Sequence, residues 1–219
     1  KTGNAENYIY NHNARLIDAT LPYTACYKPN IAFYEAHGEA GTRALERTLE
    51  HIPDDVPVII DAKRSDIGAT AEAYAASIFG NLSADAVTLS PYMGKDAAIP
   101  FLAYRDKGMF LLCKTSNPGA GAVQNLTLEP NGDNLYMEIA RQCTSWSNRI
   151  GLVVAGNDPA GLSEIRKHFP ETWILAPGIG AQGGTIEAAL AAGIRKDGAG
   201  ILPVVGRAVM NAEDPGKAA

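Results

Sequence analysis

Long apolar runs are what this 219-residue chain most plainly lacks. No stretch approaches the roughly 18 uninterrupted apolar residues that a membrane helix needs, so no membrane role is expected. The opening segment, Lys1-Thr-Gly-Asn-Ala-Glu6, is polar and is not expected to act as a secretory leader. Positive charge is not in excess either: 19 Lys and Arg stand against 24 Asp and Glu, a net charge of −5. That balance argues against a nucleic-acid surface. Cysteine is scarce. Cys26, Cys113 and Cys143 are odd in number and far apart, and the first and second lie in apolar, strand-like runs. Buried free thiols in a reducing cytoplasm are therefore expected, not disulfides. No Cys/His spacing suggests a zinc site. Linkers, low-complexity tracts and close repeats are absent too.

What the chain does have is alternation. Hydrophobic residues make up 46% of the sequence, enough for one domain over residues 1–219. Helical patterns fall at about 5–20, 38–51, 69–80, 94–106, 134–146, 159–168 and 184–193. Between them lie short apolar runs: Thr24–Lys28, Val56–Asp61, Ala84–Ser90, Met109–Cys113, Ile150–Val154, Trp173–Ala176 and Gly200–Val205. Continuous apolar strands separated by helices predict a parallel sheet covered on both faces. Every one of the seven runs ends in a polar or glycine-rich loop. An open doubly wound sheet would favour one glycine-rich loop near its start. Functional-looking loops at every strand end favour an α/β fold of the (β/α)8 TIM-barrel type. One strand is short of eight, and its place is before Lys1.

The most informative segment is Asp61-Ala-Lys-Arg-Ser-Asp-Ile-Gly-Ala-Thr70. It places charges where a buried strand ends, and charges there need partners or work to do. Residues two apart on a strand share a face, so Asp61 and Lys63 are expected side by side with Ala62 turned away. Arg64 is expected to face solvent. Two late segments look like an anion site: Pro177-Gly-Ile-Gly-Ala-Gln-Gly-Gly184 after one strand, and Val205-Gly-Arg-Ala208 after the next. Glycines let backbone N–H groups approach an oxyanion, and the Arg207 guanidinium matches phosphate oxygens.

Together these pieces resemble the orotidine 5′-monophosphate decarboxylases, especially the bacterial and parasite subgroup with a longer chain. The resemblance runs from about Arg15 to about Pro215. It is carried by Tyr27-Lys-Pro-Asn-Ile-Ala-Phe33, Asp61–Thr70, Lys114-Thr-Ser-Asn117, Pro177–Gly184 and Gly206-Arg207. It implies an alternating charged tetrad, Lys28, Asp61, Lys63 and Asp66, with Lys63 as the stabilising cation and proton donor. It implies a cytoplasmic homodimer in which Asp66 and Thr70 reach the partner's site. Ser116 would bond the pyrimidine amide, and Ile67 and Pro177 would line the substrate. Gln182, Gly206 and Arg207 would grip the phosphate, and Asn30 is a further substrate contact. The substrate and product would be the nucleotides OMP and UMP. No metal or organic cofactor is implied. The small-residue stretch Asn117–Asn125 would close as a lid.

The pattern also departs from that family. Its barrel opens with a strand ending in a ribose-binding aspartate, which does not precede Lys1, and most of its last helix is lacking here. The natural chain is therefore expected to be longer than the sequence given. Two other readings share the Asp-x-Lys-x-x-Asp element. One is a magnesium-dependent sugar-phosphate decarboxylase or aldolase, for which Glu35 is the only candidate extra ligand. The other is a non-catalytic nucleotide-binding barrel.

Overall fold

The computed structural model describes residues 2–130 and 132–219. Six strands form one parallel sheet: β1 (Ile59–Arg64), β2 (Ala86–Leu89), β3 (Gly108–Lys114), β4 (Ile150–Val154), β5 (Ile174–Ala176) and β6 (Ile201–Pro203). Helices α1 (Thr2–Thr20), α2 (Ile31–Glu35) and α3 (Gly38–His51) precede the sheet. α4 (Gly68–Ala75) joins β1 to β2, and α5 (Ile99–Leu102) joins β2 to β3. α6 (Gly121–Gln124) and α7 (Leu135–Trp146) separate β3 from β4, α8 (Pro159–His168) follows β4, and α9 (Ile186–Gly193) follows β5. The short α10 (Arg207–Met210) and α11 (Pro215–Ala218) come last.

Each strand pairs with the next in chain order, without a reversal. A doubly wound sheet reverses its strand order partway across, whereas a (β/α) barrel adds each strand on the same side. The order β1-β2-β3-β4-β5-β6 is therefore the barrel's. Both faces are filled. Ile60, Val87, Leu111, Leu152 and Ile174 face the helix layer, while Ile59, Ala86, Phe110, Val153 and Leu175 form a second cluster on the opposite face. That double burial explains why the strands read as continuous apolar runs.

Three predicted elements differ. Among the described residues six strands form where seven runs were expected, because Thr24–Lys28 and the residues just after it are held by isolated parallel bridges only, Tyr27 to Val58 and Asn30 to Asp61. Tyr27 N–H donates to Pro57 O and Ile59 N–H donates to Tyr27 O. The next donor in that ladder would be residue 29, and Pro29 has no N–H. The second run starts and ends three residues later than expected, at Ile59–Arg64 instead of Val56–Asp61. The helix expected over 94–106 shrinks to a 3-10 turn at Lys95–Ala97 and the four residues of α5. Pro100 breaks the interior of that pattern by removing an N–H donor.

Candidate active site at the C-terminal strand ends

A cavity of about 450 Å³ opens over the C-terminal ends of the strands. The 27–30 segment contributes Lys28, β1 contributes Asp61 and Lys63, and β2 contributes Thr88. Leu112, Val153 and Leu175 from β3, β4 and β5 supply apolar wall, Thr115, Ser116, Asn117 and Pro177 come from the loops beyond, and Gln124 ends α6.

Asp61 is the hub. Its side chain is 9% exposed and receives four donors. Lys28 Nζ lies 2.9 Å and Asn30 Nδ2 3.2 Å from Oδ2, while Lys63 Nζ lies 2.5 Å and Thr88 Oγ1 2.9 Å from Oδ1. Burial alone would raise the pKa of this carboxyl. The charge of Lys28 and the hydrogen bonds from Lys63 and Lys28 outweigh burial and hold it at about 2. The carboxylate is thus ionised across the physiological range, and the cluster of two ammonium groups and one carboxylate carries one net positive charge. Lys63 is 47% exposed, so its ammonium is tethered on one side and open to the cavity on the other.

Asp61 and Lys63 do meet, but not by simple strand alternation. The β1–β2 register jumps from Ile60 opposite Val87 to Arg64 opposite Leu89. Residues 61–63 therefore bulge against Thr88, and Lys63 takes the left-handed backbone conformation at φ 47. A bulge of this kind re-aims a side chain. Sequence reasoning missed Thr88, whose hydroxyl stitches the bulge by accepting from Ala62 N–H and Lys63 N–H, each at 3.0 Å. A lone hydroxyl in the otherwise apolar Ala86-Val-Thr-Leu89 was the available signal.

Ser116 and Gln182 also come together: Ser116 Oγ donates to Gln182 Oε1 at 3.2 Å. Asn157, another residue the sequence did not single out, ties their loops by donating to Gln182 O at 3.2 Å and approaching Ser116 O at 3.5 Å. Gly178 makes that junction possible. It has φ 102, and a Cβ there would stand 2.9 Å from the Ser116 Cβ. Gly206 caps the N-terminal end of α10, which begins at Arg207. A Cβ on Gly180 would lie 3.2 Å from the Ala208 Cβ, so the loop after β5 backs directly onto α10. The two glycine-rich segments are therefore neighbours, with Arg207 exposed beside them.

Lys114, at the end of β3, pairs with Asp158 at 2.8 Å and lies 4.2 Å from the centre of the Tyr136 ring. Burial would raise the Asp158 carboxyl, but the Lys114 hydrogen bond and the Gly161 N–H lower it below its ordinary value. The segment expected to form a lid is a 3-10 turn, Pro118–Ala120, followed by α6. Gln124 hooks it to the strand end, accepting Thr115 N–H and donating to Thr115 Oγ1, both at 2.8 Å.

Asp66, Ile67 and Thr70 do not line the cavity that Lys28, Asp61 and Lys63 share. Asp66 accepts the N–H of Ile67 at 2.8 Å, Ile67 is 50% exposed, and Thr70 is exposed. Arg64 does not face solvent as expected. Its side chain is 23% exposed, lies over the Tyr74 ring, and pairs with Glu35 at 2.5 Å. Glu35 is thereby engaged by an arginine. Among the described residues no group of three or more His, Cys, Asp and Glu side chains is arranged to hold a metal ion. Cys113 and Cys143 are buried and Cys26 is only partly so, all three as free thiols.

Comparisons with known proteins agree with this geometry. The model of the orotidine 5′-phosphate decarboxylase / HUMPS family matches residues 11–219. An orotidine 5′-phosphate decarboxylase of Roseiflexus castenholzii is 50% identical over 208 residues, covering 94% of this chain and 76% of that protein. The OMP decarboxylase of Leishmania donovani superposes with a TM-score of 0.90 at 43% identity, covering 95% of this chain and 82% of that one. The UMP synthase of the same organism gives 0.92 at 45% identity, with 95% of this chain matched to 47% of that larger one. With the strand order, the charged cluster and these likenesses all in agreement, the chain belongs to the orotidine 5′-phosphate decarboxylase / HUMPS family.

Proposed function

We propose that this chain converts orotidine 5′-monophosphate to uridine 5′-monophosphate in pyrimidine biosynthesis, with Lys63 as the group that stabilises and then protonates carbon six. The bond from carbon six to the carboxylate breaks, carbon dioxide leaves, and the electron pair stays on the ring carbon. That pair lies in the ring plane, where no π system absorbs it. A proton from Lys63 Nζ completes the product, and water restores the ammonium.

The observation that carries this reading is the Lys63 ammonium, open to the cavity and fixed at 2.5 Å by a buried carboxylate. A positioned cation does not reorganise as charge develops. Its attraction for an anion about 4 Å away is roughly 4 kcal/mol at an effective dielectric of about 20. The most demanding decarboxylations and hydrolyses require barrier reductions of about 23 kcal/mol or more, so the charge at carbon six cannot act alone. Binding energy from remote groups supplies the remainder. Arg207, Gln182 and Gly206 hold the phosphate, Pro177 and Ser116 hold the base, and the 117–125 segment closes over both. Lys28 and Asn30, each bound to Asp61, extend the polar wall toward the ribose.

Asp66 and Thr70 act across a homodimer interface, and Ile67 lines the apolar side of the base pocket. Thr70 is exposed and neither Asp66 nor Thr70 lines the cavity of its own chain, which supports the interface assignment. Three free cysteines suit a reducing cytoplasm. Among the described residues no helix is long and apolar enough to cross a membrane.

Lys63→Ala tests the central assignment. Release of carbon dioxide from orotidylate should become undetectable, while UMP still binds through its phosphate. Decarboxylation at the parental rate would overturn the role given to Lys63.

A further inference from the structure

Thr88 is 1% exposed, the only polar residue of a strand whose four residues are all buried. A buried hydroxyl needs partners, and this one has three. It donates to Asp61 Oδ1 at 2.9 Å and accepts from both Ala62 N–H and Lys63 N–H at 3.0 Å. Those two N–H groups have lost their ladder acceptors, because β1 places residues 61–63 opposite this single residue of β2. Lys63 meanwhile holds φ 47, a conformation that a residue with a Cβ avoids unless its surroundings impose it.

We infer that Thr88 is a positioning residue for the decarboxylation: its hydroxyl locks the β1 bulge that presents the Lys63 ammonium to carbon six. One side chain sets the lysine's backbone through two N–H groups and its counter-ion through the carboxylate. The ammonium position is thus fixed from both ends, by the bulge at Cα and by Asp61 at Nζ. An apolar residue of the same shape would keep the packing of β2 and lose all three bonds. The bulge would then relax toward ordinary extended backbone and carry Nζ away from the place it must hold. Misplacement of a catalytic group by about 1 Å costs on the order of 100-fold in rate.

The inference rests on Lys63 being the proton donor, so the test compares four proteins: parent, Thr88→Val, Thr88→Ser and Lys63→Ala. Steady-state decarboxylation of orotidylate yields kcat and KM, and calorimetry yields the Kd for UMP. Thr88→Val should lower kcat by about 10- to 100-fold and leave the Kd for UMP within about threefold of the parent. Thr88→Ser, which retains the hydroxyl, should keep kcat within about threefold. The inference fails if Thr88→Val keeps parental kcat, if valine and serine lower it equally, or if UMP binding falls along with turnover. Should Thr88→Val not fold, as judged by circular dichroism, Thr88→Ala is read by the same criteria. Loss of turnover in Lys63→Ala with none in Thr88→Val overturns the role of Thr88 alone. Retained turnover in Lys63→Ala overturns the reading of Lys63 beneath it.

Discussion

Replacing Asp61 with asparagine isolates the electrostatic part of this site, because shape and volume barely change. The native side chain is 9% exposed and faces two ammonium groups at 2.9 and 2.5 Å. Folding lowers its pKa from the ordinary 3.8 to about 2. At about 1.4 kcal/mol per unit, the linkage is worth roughly 2 kcal/mol of stability. The sign follows from the direction of the shift. A carboxyl whose pKa falls on folding contributes fully above its unfolded value, and the contribution fades as pH drops through the folded value. It is complete at pH 6, about half gone at pH 3, and absent well below pH 2. Asparagine has no such dependence, and the remaining carboxylates titrate alike in both proteins and cancel in the difference. Urea unfolding of parent and Asp61→Asn at pH 6 and pH 3, at fixed ionic strength, reads this directly. The stability gap between them should narrow by about 1 kcal/mol at the lower pH. Part of the gap will persist at both pH values, because the amide turns a donor toward one of its former donors. A gap that stays constant or widens at pH 3 would refute the claim that Lys28 and Lys63 hold Asp61 ionised.

Two further outcomes follow from the placement of the other residues. Arg207→Ala should lower kcat/KM for orotidylate by roughly 30- to 150-fold, the 2–3 kcal/mol of a charge-assisted hydrogen bond, and leave the phosphate-free nucleoside substrate almost unaffected. Equal losses on both substrates would make Arg207 structural. If Asp66 serves the partner's site, inactive Lys63→Ala and inactive Asp66→Ala proteins, unfolded and refolded together, should regain about a quarter of parental activity. Half of the randomly formed dimers are mixed, and each mixed dimer holds one intact site and one doubly altered site. A mixture no more active than its two components would place Asp66 in its own chain's site.

The sequence carried the elements with local signals and missed what depends on distant partners. β4 was legible as Ile150–Val154 because a short apolar run follows Arg149 and gives way to Gly156-Asn157-Asp158 soon after. α8 was legible as Pro159–His168 because Asp158 caps it, accepting Gly161 N–H at 3.0 Å, and Pro159 suits its first position. The family resemblance supplied Lys28, and the pairing of Asp61 with Lys63 was legible from the strand pattern. The reason for the Asp61–Lys63 contact was not. Alternation along one strand puts the right pair together, yet the chain achieves it with a bulge held by a hydroxyl 25 residues later. Thr88 gave a weak cue, as a polar residue in a buried strand. Asn157 gave none, since an asparagine before Asp158-Pro159 reads as ordinary turn chemistry. Both bind backbone groups that are far away in sequence, and such pairings have no period to detect. The contrast explains why the charges could be read and their supports could not. An ionisable group at a strand end is costly enough to stand out by itself. The neutral side chains that keep it in place are inexpensive one by one and become recognisable only when the strands are set side by side.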